Sequence, residues 1–319
     1  HPVMHDETFE SSCQVAADLV GNVERVIVGK HDAVVRAVKA LLARGHILVE
    51  DVPGVGKTVL AKAIATSIQA DFKRVQFTAD LLPSDVTGVS IYDQHENIFR
   101  FRPGPLFAHV LLGDEINRAT PRTQSSLLEA MEEEQATVDG VAHPLQRPFF
   151  VIATQNPIEL EGTYPLPFAQ MDRFIIRLRL GYLSAGEEAL MAKSRLHGSP
   201  LSALTPVIDC AELIATQDAV CGVRISDDLI DYVVRLVQAT RVEDGIEYGA
   251  SPRGTLDLVR YSQATALLDG RSYVLPDDIK ESATAVLSHR LVIRRGTRRA
   301  TLNSDDVLHE LIERTEVPL

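Results

Sequence analysis

The segment Glu50-Asp51-Val52-Pro53-Gly54-Val55-Gly56-Lys57-Thr58 constrains this chain more than any other. It follows the apolar run His46-Ile47-Leu48-Val49 and precedes Leu60, Ile64 and Ile68, which recur at helical spacing. A strand, a glycine-rich turn and a helix in that order form the context of a phosphate-binding loop. The glycines let backbone N–H groups turn toward an anion, and the helix N-terminus adds partial positive charge. Lys57 is spaced to reach the β- and γ-phosphates, and the Thr58 hydroxyl to ligate Mg²⁺. Pro53, Gly54, Val55, Gly56, Lys57, Thr58 and Val59 are therefore the candidate phosphate-binding residues. Asp51 stands where such loops usually carry their first glycine. The competing reading is a strand-to-helix turn that binds nothing.

The rest of the chain agrees with an α/β fold. Val34, Val38, Leu41 and Leu42 repeat at helical spacing. Short apolar runs at 74–77, 110–112, 149–153 and 174–178 read as buried strands of a mostly parallel sheet. Beyond Gly181 the strand signals nearly vanish. Ser226, Ser251-Pro252 and Pro276 each open a helical pattern. The expected division is an α/β nucleotide-binding core over 1–182 and a smaller all-α lid over 183–319. Hydrophobic residues at 45% and charged residues at 24% exclude a disordered or collagen-like chain. The net charge of −12 argues against a bulk nucleic-acid binder. Three cysteines without a CxxC pair suit a reducing cytoplasm rather than a disulfide framework. No run is long enough to span a membrane, and the polar, acidic N-terminus does not read as a secretory signal.

Val110-Leu111-Leu112-Gly113-Asp114-Glu115 is an apolar run ending in two carboxylates. Phosphoryl transfer needs one acid in the Mg²⁺ shell and a group that orients or deprotonates the attacking water. Asp114 suits the first role and Glu115 the second. The alternative, that the pair merely opens the next helix, has a better claimant in Thr120-Pro121.

With these motifs the chain resembles the AAA+ ATPases, and within them the MoxR family. The strings that carry the resemblance are 48–58, Asp114-Glu115-Ile116-Asn117-Arg118-Ala119, Ala153-Thr154-Gln155-Asn156-Pro157, Gly162-Thr163-Tyr164-Pro165-Leu166-Pro167 with Asp172-Arg173-Phe174, and Ser251-Pro252-Arg253. The resemblance implies a parallel-sheet P-loop (AAA+) ATPase domain followed by a helical lid, with ATP and Mg²⁺ as cofactors. It implies that Asn156 is sensor 1 and that Arg173 is an arginine finger acting on ATP held by a neighbouring subunit. It implies that Arg253 is sensor 2, in the lid and facing the nucleotide. Val28 and Gly29, ahead of the first core helix, fall where this fold contacts adenine. Phe168 departs from the family, which usually has Glu there.

Two hairpins are expected, at 87–101 and 135–143, the second turning at Asp139-Gly140. The resemblance makes them pore-lining inserts. Their tips carry Asp93, Glu96 and Asp139 and no Lys or Arg, which argues against a phosphate-tracking motor. The arginines at 290, 294, 295, 298 and 299 form the one basic cluster, read as a solvated strand or hairpin of the lid. The expected activity is Mg²⁺-dependent ATP hydrolysis in a homo-oligomeric, hexameric ring. The resemblance implies the role of a chaperone that remodels or matures protein complexes or helps insert a metal cofactor, with protein partners that in this family often carry a von Willebrand factor A domain. A nucleic-acid motor and a nucleotide-gated scaffold are the rivals. Glu115, Asn156, Arg173 and Arg253 weigh against the scaffold.

Overall fold

Five short strands that alternate with helices in sequence must be crossed over by those helices, and crossovers produce a parallel sheet. The computed structural model describes residues 6–51, 54, 56–157, 162–196, 198, 200–294 and 303–318. Helices α1 (Asp6–Glu24) and α2 (His31–Leu42) precede strand β1 (Ile47–Glu50), and α3 (Lys57–Ser67) follows it. Next come β2 (Phe72–Gln76), the short helix α4 (Pro83–Thr87), a hairpin of β3 (Gly88–Asp93) and β4 (Ile98–Pro103), and β5 (Val110–Asp114). Helix α5 (Pro121–Glu133) leads into a second hairpin, β6 (Gln135–Val138) and β7 (Val141–Pro144). Strand β8 (Phe150–Gln155), the one-turn helix α6 (Phe168–Met171) and β9 (Ile176–Leu178) follow. The C-terminal part is α7 (Ala185–Leu196), α8 (Cys210–Gly222), α9 (Asp227–Val242), β10 (Ile246–Tyr248), α10 (Pro252–Leu268), α11 (Pro276–Leu287), β11 (Val292–Ile293) and α12 (Ser304–Arg314).

The central sheet has the order β2-β5-β8-β1-β9. Its pairs are parallel, with Ile47 opposite both Ile152 and Ile176, and Leu112 opposite Ile152. Side chains alternate across it, as strand geometry requires. Ile47, Val49, Val110, Leu112, Phe150 and Ile152 enter one core, which α1, α2, α3 and the later helices share. Leu48, Leu111, Val151 and Ala153 enter the other, against Leu127, Leu128 and Met131 of α5.

The sequence reading gave α1 no role, yet Leu19 and Val23 in it are fully buried. Its Asn22 donates to Ser67 Oγ at 2.8 Å and to the Thr205 carbonyl at 3.0 Å, which ties α1 to α3 and to the approach to α8. The expected caps are present: Ser226 Oγ accepts from Leu229 N at 3.3 Å, and Ser251 Oγ from Arg253 N at 3.1 Å. The lid also holds a small antiparallel ribbon, β10 with β11.

The tip at 93–97 holds no Lys or Arg, and Arg100 of β4 folds back to pair with Asp93 at 3.2 Å and with Glu96. One further expectation changes. The arginine cluster is not one solvated surface. Arg290 is only 1% exposed and is bound by Asp172 at 2.7 Å and Asp257 at 2.5 Å. Two half-buried carboxylates and four backbone carbonyls surround it, so it is a structural cation. Arg295, Arg298 and Arg299 lie outside the described residues.

Candidate functional site

Each strand delivers its C-terminal residue to one edge of the sheet, and in parallel α/β sheets ligands bind at that edge. The phosphate loop leaves β1 there, Asp114 and Glu115 end β5, and Asn156 follows β8. Asp51, at the position usually held by glycine, is buried and has a structural task. Its Oδ2 accepts from Leu180 N at 2.6 Å and Gly181 N at 2.7 Å, tying the loop to the segment after β9. Gly54 and Gly56 have φ of +87° and +101°, where a side chain would be strained. Gly56 caps α3 with no side-chain acceptor and no acid in the first turn, so the helix N-terminus offers its N–H groups to an anion. Lys57 Nζ donates to the Asp51 carbonyl at 2.9 Å. Thr58 and Val59 lie in the first turn of α3, half-buried; Pro53 and Val55 lie outside the described residues.

The two acids are held by neighbouring strands. Asp114 Oδ1 accepts from Thr154 Oγ1 at 2.7 Å, and Oδ2 from Arg74 Nη2 at 2.5 Å. Glu115 takes a left-handed backbone, φ 54° and ψ 51°, unusual outside glycine and common where a site must be aimed. Its N–H donates to Thr154 Oγ1 at 2.9 Å, and its Oε2 accepts from Gln76 Nε2 at 3.0 Å and pairs with Arg118 Nε at 2.8 Å. Asn156 is buried at the end of β8. The sequence reading missed Arg74, Gln76 and Thr154. The signal available was the alternation Arg74-Val75-Gln76, which puts both polar side chains on one face of a strand beside β5. Val28 and Gly29 stand apart, in the turn between α1 and α2. Glu187 of α7 covers that turn so closely that a Cβ on Gly29 would lie 2.5 Å from its carboxyl carbon.

A lysine, a glycine-formed turn and an uncapped helix N-terminus suit a polyphosphate. A threonine hydroxyl and a carboxylate suit a hard divalent cation, which keeps several water or phosphate oxygens. Among the described residues no group of three or more His, Cys, Asp or Glu side chains could hold a metal alone. A cation in this site would therefore be shared with the nucleotide.

Arg173 and Arg253 are not at this edge. Arg173 lies just before β9, and Arg253 in the first turn of α10. Both bind one carboxylate, Glu132 in the last turn of α5: Arg173 Nη2 at 3.1 Å from Oε2, and Arg253 Nη2 on Oε1. They line a cavity of about 220 Å³ with Arg44, His46, Arg147 and Arg260. His46 and Phe149, in its wall, immediately precede β1 and β8, so this is the N-terminal edge of the sheet. Strands of four to six residues, at about 3.3 Å each, separate it from the phosphate loop by roughly 13–20 Å. The resemblance implied that Arg253 faces the nucleotide; the structure instead places it on the edge opposite the phosphate loop of its own chain. Its partner is Arg173, because Ser251 Oγ donates to Asp172 Oδ2 at 2.7 Å and sets the two motifs side by side. Burial holds the His46 pKa down at about 4. The neutral ring accepts from Val151 N at 3.0 Å and faces the Met131 carbonyl at 3.3 Å with its other nitrogen.

Residues 46–176 match the model of the ATPase family associated with various cellular activities (AAA), and 238–311 match the AAA lid domain. Chaperone MoxR1 of Mycobacterium tuberculosis is 39% identical over 93% of this chain and 80% of its own length. The chain belongs to the MoxR family of AAA+ ATPases. Protein MoxR of Paracoccus denitrificans is 31% identical over 84% of this chain and 86% of its own. The uncharacterised protein YeaC of Bacillus subtilis is 49% identical over 94% of each chain. A crystal structure of a candidate ATPase from Cytophaga hutchinsonii superposes with a TM-score of 0.90 at 35% identity, covering 98% of both chains. Like its family, the chain is an ATP-hydrolysing enzyme on a P-loop α/β core with a helical lid. Among the described residues no helix is long and apolar enough to cross a membrane.

Proposed function

We propose that the chain hydrolyses ATP at sites completed between subunits of a ring. The observation that carries this is the pairing of Arg173 with Arg253 on the edge opposite the phosphate loop. Two guanidiniums half-exposed there cannot serve the loop of their own chain, but a neighbour stacked head to tail presents its loop to them. In this reading Lys57 and the α3 N-terminus bind the β- and γ-phosphates, and Thr58 and Asp114 hold Mg²⁺. Bound Mg²⁺ supplies charge neutralisation on the phosphate oxygens. Glu115 takes the proton of the attacking water, and Asn156 orients that water. To do so Glu115 must leave Gln76 and Arg118. Arg173 and Arg253 of the adjacent subunit meet the charge that develops at the transition state, worth about 10³–10⁵ in rate for one arginine. Val28 and Gly29 contact adenine. The functional boundary between core and lid falls near Tyr182.

The cellular role in this reading is that of a cytoplasmic chaperone acting on protein complexes, including those that acquire a metal, with clients bearing a von Willebrand factor A domain. The name of Chaperone MoxR1 supports the chaperone part of this reading. The β3–β4 hairpin supports a protein client: Ile91, Tyr92, Ile98 and Phe99 are exposed, and Phe99 is 72% exposed. The Tyr92 and Phe99 rings lie 5.2 Å apart, forming an apolar cap on the hairpin. The test is specific ATPase activity against protein concentration, with assembly followed by analytical ultracentrifugation. Activity that rises with assembly agrees with the reading; equal activity in the monomer contradicts it.

A further inference from the structure

The two arginines come from different parts of the chain and converge on one side chain. Their backbones are well anchored. Asp172, next to Arg173, is gripped by Arg290 Nε at 2.7 Å and by Ser251 Oγ at 2.7 Å. Ser251 in turn caps Arg253 N at 3.1 Å. Each guanidinium, however, stands at the end of a long flexible stem, and two like charges side by side repel. The carboxylate of Glu132 gives one oxygen to each head.

We propose that Glu132 is a positioning residue that sets Arg173 and Arg253 as a matched pair for the neighbouring subunit's nucleotide. The role rests on the between-subunit reading above. The fold fixes where Glu132 stands. Helix α5 is pinned at its other end by Gln124, whose Nε2 donates to the carbonyls of Ile116 at 3.0 Å, Ala119 at 3.1 Å and Tyr164 at 2.9 Å. Its 13 residues, at about 1.5 Å each, span about 20 Å, from the acidic pair to the arginine edge. The same helix therefore registers the arginine pair against the chain's own hydrolytic edge. Glu132 is 42% exposed, so its carboxylate contributes little to stability and can be changed without threatening the fold. It acts on a second subunit's reaction without touching that nucleotide.

The experiment mixes Lys57→Ala subunits, which supply arginines, with Arg173→Ala subunits, which supply a working loop. Recovered turnover in this mixture establishes the between-subunit reading. Glu132→Gln is then placed on one partner at a time. On the Lys57→Ala partner it is expected to reduce the recovered kcat on the order of 10–100-fold, with KM for ATP unchanged. On the Arg173→Ala partner it is expected to change nothing, which also shows that the substitution spares folding and assembly. Equal loss on both partners assigns Glu132 a purely structural role and overturns the proposal. Unchanged or increased turnover on the Lys57→Ala partner overturns it too, the increase marking Glu132 as a competitor of phosphate. If the starting mixture recovers nothing, the between-subunit reading itself fails and this role falls with it.

Discussion

Ser251 donates its hydroxyl hydrogen to Asp172 across 2.7 Å, and this one bond joins two motifs 79 residues apart. Arg173 follows Asp172 and Arg253 follows Pro252, so the bond fixes the spacing of the two backbones from which the arginines rise, and Glu132 holds their heads. Arg290 clamps the same Asp172 from below. A lid arginine and a core arginine become one unit, on the edge of the sheet opposite the phosphate loop.

The first prediction separates nucleotide binding from cleavage. Lys57→Ala is expected to abolish ATP binding, measured with a fluorescent nucleotide. Glu115→Gln is expected to bind ATP and reduce turnover by about 10²–10⁴-fold, the usual contribution of a general base. Wild-type turnover in Glu115→Gln would remove Glu115 from that role.

The second concerns Asp51. Asp51→Ala strands two backbone N–H groups, those of Leu180 and Gly181, in a largely buried setting. An orphaned donor costs about 1–3 kcal/mol. Urea unfolding is expected to show a loss of about 2–3 kcal/mol. An unchanged midpoint would mean that the Asp51 carboxylate serves the loop in some other way.

The core was legible from residues because its signals are local. The glycine-lysine-threonine turn and the acids ending an apolar run each sit within a few positions of one strand. What escaped depended on distance in the chain. Arg74 and Gln76 matter because β2 lies beside β5, with Gln76 opposite Asp114. Helix α1 carries few strong start signals, and only packing against α3 and α8 reveals its inner face. Arg290 read as surface because five arginines in ten residues look solvated. Its partners Asp172 and Asp257 lie 118 and 33 positions away. The edge on which Arg253 falls is likewise set by contacts far apart in the chain, Ser251 with Asp172 and Arg253 with Glu132.

A third prediction follows from that misreading. Burial pushes the Asp257 pKa up, and the facing Arg290 guanidinium counters it. Arg290→Met leaves Asp257 and Asp172 without that cation, a change that costs about 3–5 kcal/mol for a buried pair. Calorimetry is expected to show a large fall in Tm. A neutral effect would return Arg290 to the surface cluster.

A fourth concerns pH. The His46 pKa is near 4 when folded, against 6.5 for the free side chain. The unfolded chain therefore binds the proton first as pH falls. This contribution is fully present above about pH 6.5 and is lost toward pH 4, on the order of 3 kcal/mol in all. His289, also buried, is shifted in the same direction. Urea midpoints are expected to fall across this window, while NMR shows the His46 ring still neutral at about pH 5. A ring that titrates near 6.5 would contradict the account.

The most direct measurement mixes Lys57→Ala subunits with Arg253→Ala subunits and follows ATP turnover. Each variant alone is expected to be nearly inactive. If Arg253 serves the adjacent subunit, the intact arginines of the Lys57→Ala chain complete the intact loop of the Arg253→Ala chain, and turnover returns in mixed assemblies. If Arg253 serves its own loop, every site in the mixture lacks either Lys57 or Arg253. No recovery in mixtures shown to co-assemble would contradict the shared site.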